Sequence, residues 1–473
     1  MRTRPKCVVA LALVLSIFAA GRPARAVDVT VDGGRRYQTI EGFGTCLIAW
    51  TDSFRKLYRT EAFQRLYVKD VGCNMLRVNM WGPTYEKPTE DWSQISYEDF
   101  DIGASGGRPQ IFLEFGQGIR KLDPAVKIIG TVWSPPAWMK LNKSITDKRS
   151  GAIAAGDYGE ISNRVDPNYF RHFCKWMVEY VKLHDRLGVP FYAVSPGNEV
   201  QFTQSFESCV WDAGDYVTIV AMLREMLNMA GYKQVKIFGP ETMTSHLYEG
   251  GTGSYVKAIK NNPQALAALD VFATHGYEDG VVPEMSATSS RVFWDLIADT
   301  GKPFWITEGG TGGHAWPAPI RRGIGNALHN ALVAGNCSAF VPWQITEGRE
   351  SIHGLMVNDR LTPKTYTAMH YSKFIRPGAV RIDAQPGFGD VQVGAFLHEG
   401  NGELTIVAIN PTSQEQPLNL TFTNLAGVAS LRVYRTSASE KLGNVGDVPV
   451  KENKIAFPMT PLSIVTLSGK ITK

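Results

Sequence analysis

Two glutamates close apolar runs that read as buried strands. In FYAVSPGNEV, Phe191 to Val200, the run suits a strand covered on both faces, and Ser195, Pro196 and Gly197 stop it. Asn198 and Glu199 follow at its carboxyl end. PFWITEGG, Pro303 to Gly310, repeats the plan with Glu308 ahead of a glycine break. A carboxylate at the C-terminal tip of a buried parallel strand is where barrel enzymes keep their chemistry. Two tips facing one cleft supply the carboxyl pair of a glycosidase, one acid held protonated and the other ionised. Any single Glu is more often a solvated or ion-paired surface group. Two at matching strand ends, each followed by a chain break, weaken that reading.

Other strand ends offer support. Arg77 lies inside the apolar run MLRVNM, where an unpaired cation is costly, so it is expected to meet a carboxylate, structurally or in support of the site. His275 and Tyr277 end another strand. Tyr277 can donate to the nucleophilic carboxylate, whereas His275 is equally well a packing histidine. Asn198 can hydrogen-bond a sugar 2-hydroxyl. Trp50, Trp81, Trp133, Trp138, Trp316 and Trp343 fall at or just beyond strand ends, and indole faces suit the apolar faces of sugars. Any one of them can be core; Trp343 is the strongest candidate for a platform.

Positioning these groups takes eight strands. Apolar runs near residues 42, 77, 129, 192, 237, 272, 305 and 340 alternate for the most part with helical periodicity, as in Phe54 to Lys69 and Gly214 to Ala230. The fifth, VKIFGP, reads as ending at Pro240. Glu199 then ends the fourth strand and Glu308 the seventh. This is the pattern of an α/β chain folded as a (β/α)8 barrel. A doubly wound open sheet is less consistent, because no G-x-G-x-x-G turn follows any strand. Beyond Pro377-Gly378 helical periodicity stops and short alternating strands take over, predicting an all-β sandwich. Val27 to Val31 alternates but has no place among the eight, so it is expected to pair into that sandwich.

The predicted organisation is therefore a signal peptide at 1–26, a strand of the β-domain at 27–37, the barrel at 38–376 and the sandwich at 377–473. Arg2, Arg4 and Lys6, then CVVALALVLSIFAA, then Ala24-Arg25-Ala26 have the order of a secretory signal, and the apolar part is short for a membrane anchor. Cleavage removes five basic residues (Arg2, Arg4, Lys6, Arg22, Arg25) and takes the formal charge from +4 to −1. No global bias toward nucleic acid remains. The mature cysteines Cys46, Cys73, Cys174, Cys209 and Cys337 have neither zinc spacing nor an even count, and read as small buried hydrophobes, with one disulfide left open.

EGFGT near Glu41, TVWSPPAWMK at Thr131 to Lys140, VSPGNE, FESCVW at Phe206 to Trp211, WITEGG, and KFIRPGAVRI at Lys373 to Ile382 resemble glycoside hydrolase family 30. The likeness runs over nearly all the mature chain and is strongest to the xylanase branch. It implies a retaining enzyme with a barrel and a side β-domain fixed against it. It also implies Glu199 as acid/base and Glu308 as nucleophile, with Trp133, Trp138, Asn198, Tyr277 and Trp343 in the cleft. Two departures stand out. Gly197 and Val200 flank the Asn-Glu pair where the family usually has Gln and Pro. QITEGRESIHG, Gln344 to Gly354, does not match the loop of the glucuronoxylan-specific members, although it carries Arg349.

The expectation is a secreted or periplasmic, monomeric β-glycoside hydrolase acting on a plant polysaccharide, xylan first. No cofactor, metal, nucleic acid or membrane span in the mature chain is called for. A β-glucosidase, glucosylceramidase or β-1,6-glucanase is the alternative within the family. A non-catalytic carbohydrate-binding relative is the alternative outside catalysis, and retention of both glutamates speaks against it.

Overall fold

The computed structural model describes residues 26–471 except 48, 50, 82–83, 245–251, 278–285, 385, 387–389 and 426. The predicted signal (residues 1–25 of it) and Trp50 lie outside the described residues. The chain opens with β1 (Val27–Thr39) and then enters the barrel: β2 (Gly42–Cys46), β3 (Met75–Asn79), β4 (Lys127–Thr131), β5 (Phe191–Ser195), β6 (Lys236–Thr242), β7 (Val271–His275), β8 (Phe304–Glu308) and β9 (Ala339–Phe340). These eight are parallel and close in the order β8-β9-β2-β3-β4-β5-β6-β7. Their residues are almost wholly buried because helices cover the outside and a second core fills the inside. Met75, Ile129, Phe238, Trp305 and Val341 make up much of that inner core. Tyr192 and Trp343 pack against it.

The helices meet the barrel through an apolar stripe. In α1 (Phe170–Arg186), Phe173, Met177, Tyr180 and Val181 are all buried, as their three- and four-residue steps require. Asp166 caps the turn leading into it by accepting from the Asn168 amide at 3.0 Å.

Past the barrel, β10 (Val380–Asp383), β11 (Gln392–His398), β12 (Glu403–Asn410), β13 (Gln416–Thr423), β14 (Ser430–Thr436), β15 (Gly443–Pro449), β16 (Lys454–Met459) and β17 (Ser463–Lys470) join β1 in one sheet, in the order β15-β14-β17-β12-β11-β10-β1-β13-β16. The sheet bends over a single core to which distant strands contribute, among them Val31, Leu420, Leu431, Ile455 and Leu467. This is the side β-sandwich, and β1 belongs to it, running parallel to β13 and antiparallel to β10. Both ends of the chain are thereby tied together. The outer face of the sandwich shares the barrel's own core through Phe396, Val407, Ile409 and Ile464. At this junction the buried His370 is held between the hydroxyls of Thr466 (2.8 Å) and Thr436 (2.9 Å). All five cysteines described are buried and free. Among the described residues no helix is long and apolar enough to cross a membrane.

Candidate active site

Arg77 is the centre of the C-terminal end of the barrel. It is fully buried in β3. Its guanidinium reaches Glu308 Oε2 at 2.9 Å, Glu241 Oε1 at 3.0 Å and Asn198 Oδ1 at 2.7 Å. It also donates to Thr131 Oγ1 and Cys46 Sγ, each at 3.2 Å. The rigid donor fork explains why arginine stands here: it binds two carboxylates and a neighbouring amide oxygen at once. Burial works against its charge, but Glu241, Cys46 and Glu308 outweigh that and hold the guanidinium above its usual range.

Three carboxylates gather around this cation and His275: Arg77 takes Glu308 and Glu241, and His275 takes Glu199. Tyr277 donates its hydroxyl to Glu308 Oε1 at 3.1 Å. Glu199 is held by His275 Nδ1 at 3.2 Å and by the Gln204 amide at 3.3 Å. His275 also lies 3.8 Å from Glu308 and, through Nε2, 3.7 Å from Glu241. A nitrogen of His275 and one oxygen each of Glu199 and Glu308 all fall within 4.8 Å of one another. Glu199 and Glu308 are each 6% exposed, whereas Glu241 is 0% exposed, so the first two open on solvent and the third does not.

Burial alone would push the His275 imidazole down, but the carboxylates of Glu308, Glu199 and Glu241 outweigh it and hold its pKa up at about 9. Glu241 moves the other way. Burial would raise it, but Arg77 and then His275 hold it at about 2. Burial also pushes the Glu308 carboxyl up, with His275 and Arg77 opposing. Two donors aimed at its oxygens favour the anion there. Arg77 and His275 then balance Glu241 and Glu308.

The local backbone is as specific as the side chains. Glu199 (φ 47°) and Glu241 (φ 53°) both adopt the left-handed conformation that non-glycine residues avoid. The Glu199 amide donates to the Glu241 carbonyl at 2.9 Å, and the Asn198 amide to the Val132 carbonyl at 2.8 Å, which locks three strand ends together. A Cβ on Gly197 would lie 2.8 Å from Val200 and 3.1 Å from Trp211, so only glycine fits this turn.

Of the predicted site residues, Arg77, Asn198, Glu199, His275, Tyr277 and Glu308 come together in one network. Trp133 and Trp343 join it: their rings are 6.1 Å apart, and the Arg77 guanidinium lies 4.5 Å from the Trp133 ring centre. The remaining tryptophans are placed otherwise. Trp81 is roofed by Arg108 at 4.7 Å, which in turn reaches Glu207 at 3.7 Å. Trp138 stands edge-on to Tyr169 and His172. Trp316 donates to the Leu462 carbonyl of the sandwich at 3.0 Å.

The prediction missed Glu241 because it ended the fifth strand at Pro240. The structure carries β6 through to Thr242, with Pro240 opposite Ala273. Proline removes a ladder donor but does not forbid the extended backbone. The available signal was a third glutamate just past a buried run, matching Glu199 and Glu308. Glu199, His275 and Glu308 have donor types that suit a cation. Both oxygens of Glu308 are already taken by Arg77 and Tyr277, so ligation would have to break that ion pair.

No family model matches the chain. Among curated proteins, glucuronoxylanase XynC of Bacillus subtilis (strain 168) is 25% identical over 454 residues, 93% of this chain and 91% of that protein. An endo-1,6-beta-D-glucanase of Neurospora crassa is 25% identical over 413 residues, 81% of this chain and 78% of the other. Among solved structures, the glycoside hydrolase family 30 subfamily 8 xylanase Xyn30A of Clostridium acetobutylicum shares the fold with a TM-score of 0.73 at 21% identity, over 94% of this chain and 99% of that one. With the strand-end motifs, the barrel and its sandwich, and relatives matched along nearly the whole length, the chain is similar to glycoside hydrolase family 30, and within it to the xylanase branch.

Proposed function

We propose that the protein is a retaining β-glycoside hydrolase that cuts within a plant β-glycan, xylan first, with Glu308 as nucleophile and Glu199 as acid/base. The observation that carries this reading is that one oxygen of each carboxyl group lies within 4.8 Å of the other, which leaves no room for a water seated between well-separated acids. Double displacement needs a separation of about 5–5.5 Å, whereas an inverting enzyme needs about 6.5–9.5 Å to seat a water between its acids. Glu308 attacks the anomeric carbon, steered by Arg77 and Tyr277, while Glu199 gives a proton to the departing oxygen. Glu199 then takes a proton from the water that releases the sugar from Glu308. Asn198 turns its carbonyl to Arg77, which leaves its amide nitrogen as the donor to a 2-hydroxyl. Trp133 and Trp343 form the apolar wall, and Trp81 and Trp138 belong to more distant parts of the cleft. His275 orients Glu199.

Xylan is favoured over other glycans by the similarity to glucuronoxylanase XynC over 93% of the chain. The loop from Gln344 to Gly354 departs from the glucuronoxylan-specific pattern, so the reading does not include dependence on a uronate. Secretion by the signal at 1–26 belongs to the same reading.

The test is the anomer formed first. Proton NMR during hydrolysis of a xylo-oligosaccharide is expected to show the β-anomer before mutarotation. The α-anomer would overturn the mechanism. A product profile on xylan, β-1,6-glucan and aryl β-glycosides assigns the substrate. Turnover of β-1,6-glucan alone would move the protein to the glucanase reading that the Neurospora relative's name carries.

A further inference from the structure

Trp316 is the predicted rim tryptophan that the cleft leaves unused. It lies on the segment that follows Glu308 and β8, at the same end of the barrel, but it points to the sandwich. Its indole nitrogen is anchored on the Leu462 carbonyl at 3.0 Å, and the side chain remains half-buried. Beside it opens a cavity of about 490 Å³ bounded on the sandwich side by the segment between β14 and β15 and by the turn before β17. This is within the range of small-molecule clefts, about 300–1,000 Å³.

The walls are of three kinds. Trp316, Ala438 and Leu462 are apolar. Arg435 and Glu440 face each other as a two-pronged pair at 2.6 and 2.7 Å, with Ser437 donating to Glu440 at 2.8 Å. Their side chains are 17% and 30% exposed, so the edge of the pair is open to the cavity. The serines Ser437, half-buried, and Ser439, exposed, complete the polar lining.

We propose that this cavity is a second carbohydrate site, which takes a neutral pyranose segment of the polysaccharide outside the catalytic cleft. A sugar ring needs an aromatic face for its C–H side and planar, multivalent polar groups for its hydroxyls, and the cavity provides both. The paired charges of Arg435 and Glu440 cancel, which favours an uncharged ligand over an acidic one. The site exists only where barrel and sandwich meet, which gives the rigid sandwich a part in holding the polymer near the cleft. The gain from such a second contact is one of effective concentration: it strengthens binding of long chains and does nothing for short substrates. The proposal rests on the reading of the protein as a β-glycan hydrolase.

The experiment uses the full chain with Glu308→Gln to prevent hydrolysis, run by affinity electrophoresis in gels containing soluble xylan or β-1,6-glucan. Retardation by at least one polymer is expected. Ser439→Leu, which fills the cavity with a group that neither stacks on a sugar nor hydrogen-bonds it, is expected to weaken retardation about fivefold or more. Trp316→Ala is expected to do the same. If Trp316→Ala fails to fold, Ser439→Leu decides alone. Ser439→Leu in the otherwise unaltered enzyme is expected to leave kcat/KM on a short aryl glycoside unchanged. Retardation undiminished by Ser439→Leu overturns the second site, as does equal loss of aryl-glycoside turnover. An unaltered enzyme that turns over no glycoside overturns the functional reading instead.

Discussion

The two ends of the barrel hold similar residues in opposite regimes. At the N-terminal end Glu41, just ahead of β2, accepts from Lys236 at 2.8 Å, Tyr192 at 2.7 Å and the Trp305 indole at 3.3 Å, with Lys127 at 4.0 Å. Here one carboxylate meets a surplus of donors, and the lysines keep side-chain exposures of 20% and 30%. Burial would raise Glu41, but Lys236 foremost overrides it, so the anion is settled. At the C-terminal end three carboxylates compete for one guanidinium and one imidazole, and Arg77, Glu241 and His275 have no exposure at all. There the charge state depends on a proton, and the backbone at Glu199 and Glu241 is held in a disfavoured conformation. Ion pairs with excess donors at a wet rim stabilise a fold, whereas a buried cluster short of donors can move a proton.

The comparison can be broken by substitution. The largest expected effect is on rate. Glu308→Ala should lower kcat by about 10⁴-fold or more on every substrate while the folded spectrum persists, and full activity would remove the C-terminal end from the chemistry. Azide should restore part of the turnover of an activated aryl glycoside, because the cavity left by the carboxylate then admits an external nucleophile.

Stability comes next. Arg77→Met leaves Glu241 buried without its main partner and should cost about 3–5 kcal/mol in denaturant unfolding. At the other end Lys236→Met removes a partly exposed partner and should cost about 1 kcal/mol, with kcat unchanged. Equal costs would mean that the two ends do not differ in kind.

Acid and alkali should act unequally on the C-terminal end. His275, ordinarily near 6.5, is held at about 9, so the stability it contributes is complete below about 6.5 and lost as pH rises through about 9. Glu241, ordinarily near 4.5, is held at about 2, so its contribution is present above about 4.5 and lost only as pH falls through about 2. Melting temperature against pH should therefore fall on the alkaline side well before the cluster fails in acid.

The smallest effect sharpens the assignment of His275. Glu241→Gln removes one of the charges that raise it, so the alkaline limb of kcat/KM should move to lower pH, by about one unit or less. An unmoved limb would show that His275 does not govern that limb. The matching change at the other end, Glu41→Gln, should leave the pH profile where it is.

Much of this was legible in the chain. Apolar runs with breakers marked all eight barrel strands, and β1 was assigned to the sandwich because its alternation had no place among the eight. Glu199 and Glu308 were recognised by their position after such runs. Arg77 was expected to meet a carboxylate because a lone cation inside an apolar strand is untenable, and it meets two. The tryptophans show the limit of that approach. Of those expected at the rim, Trp133 and Trp343 adjoin the cluster, Trp81 is covered by Arg108, and Trp316 serves the sandwich. One residue of strand phase, or one turn of loop, decides between those fates, and neither is visible in a run of residue types.

By itself, then, the sequence determined the barrel, its side sandwich and the two strand-end acids Glu199 and Glu308, because burial periodicity and chain breaks act over a few residues and are written locally. Only the tertiary structure decided that Glu241 joins them as a third carboxylate, that carboxylates surround His275 and favour its charged form, and which tryptophans adjoin the acids. Those outcomes depend on distances between strands far apart in the chain, and on the balance of charges that closure of the barrel brings within a few ångströms of one another.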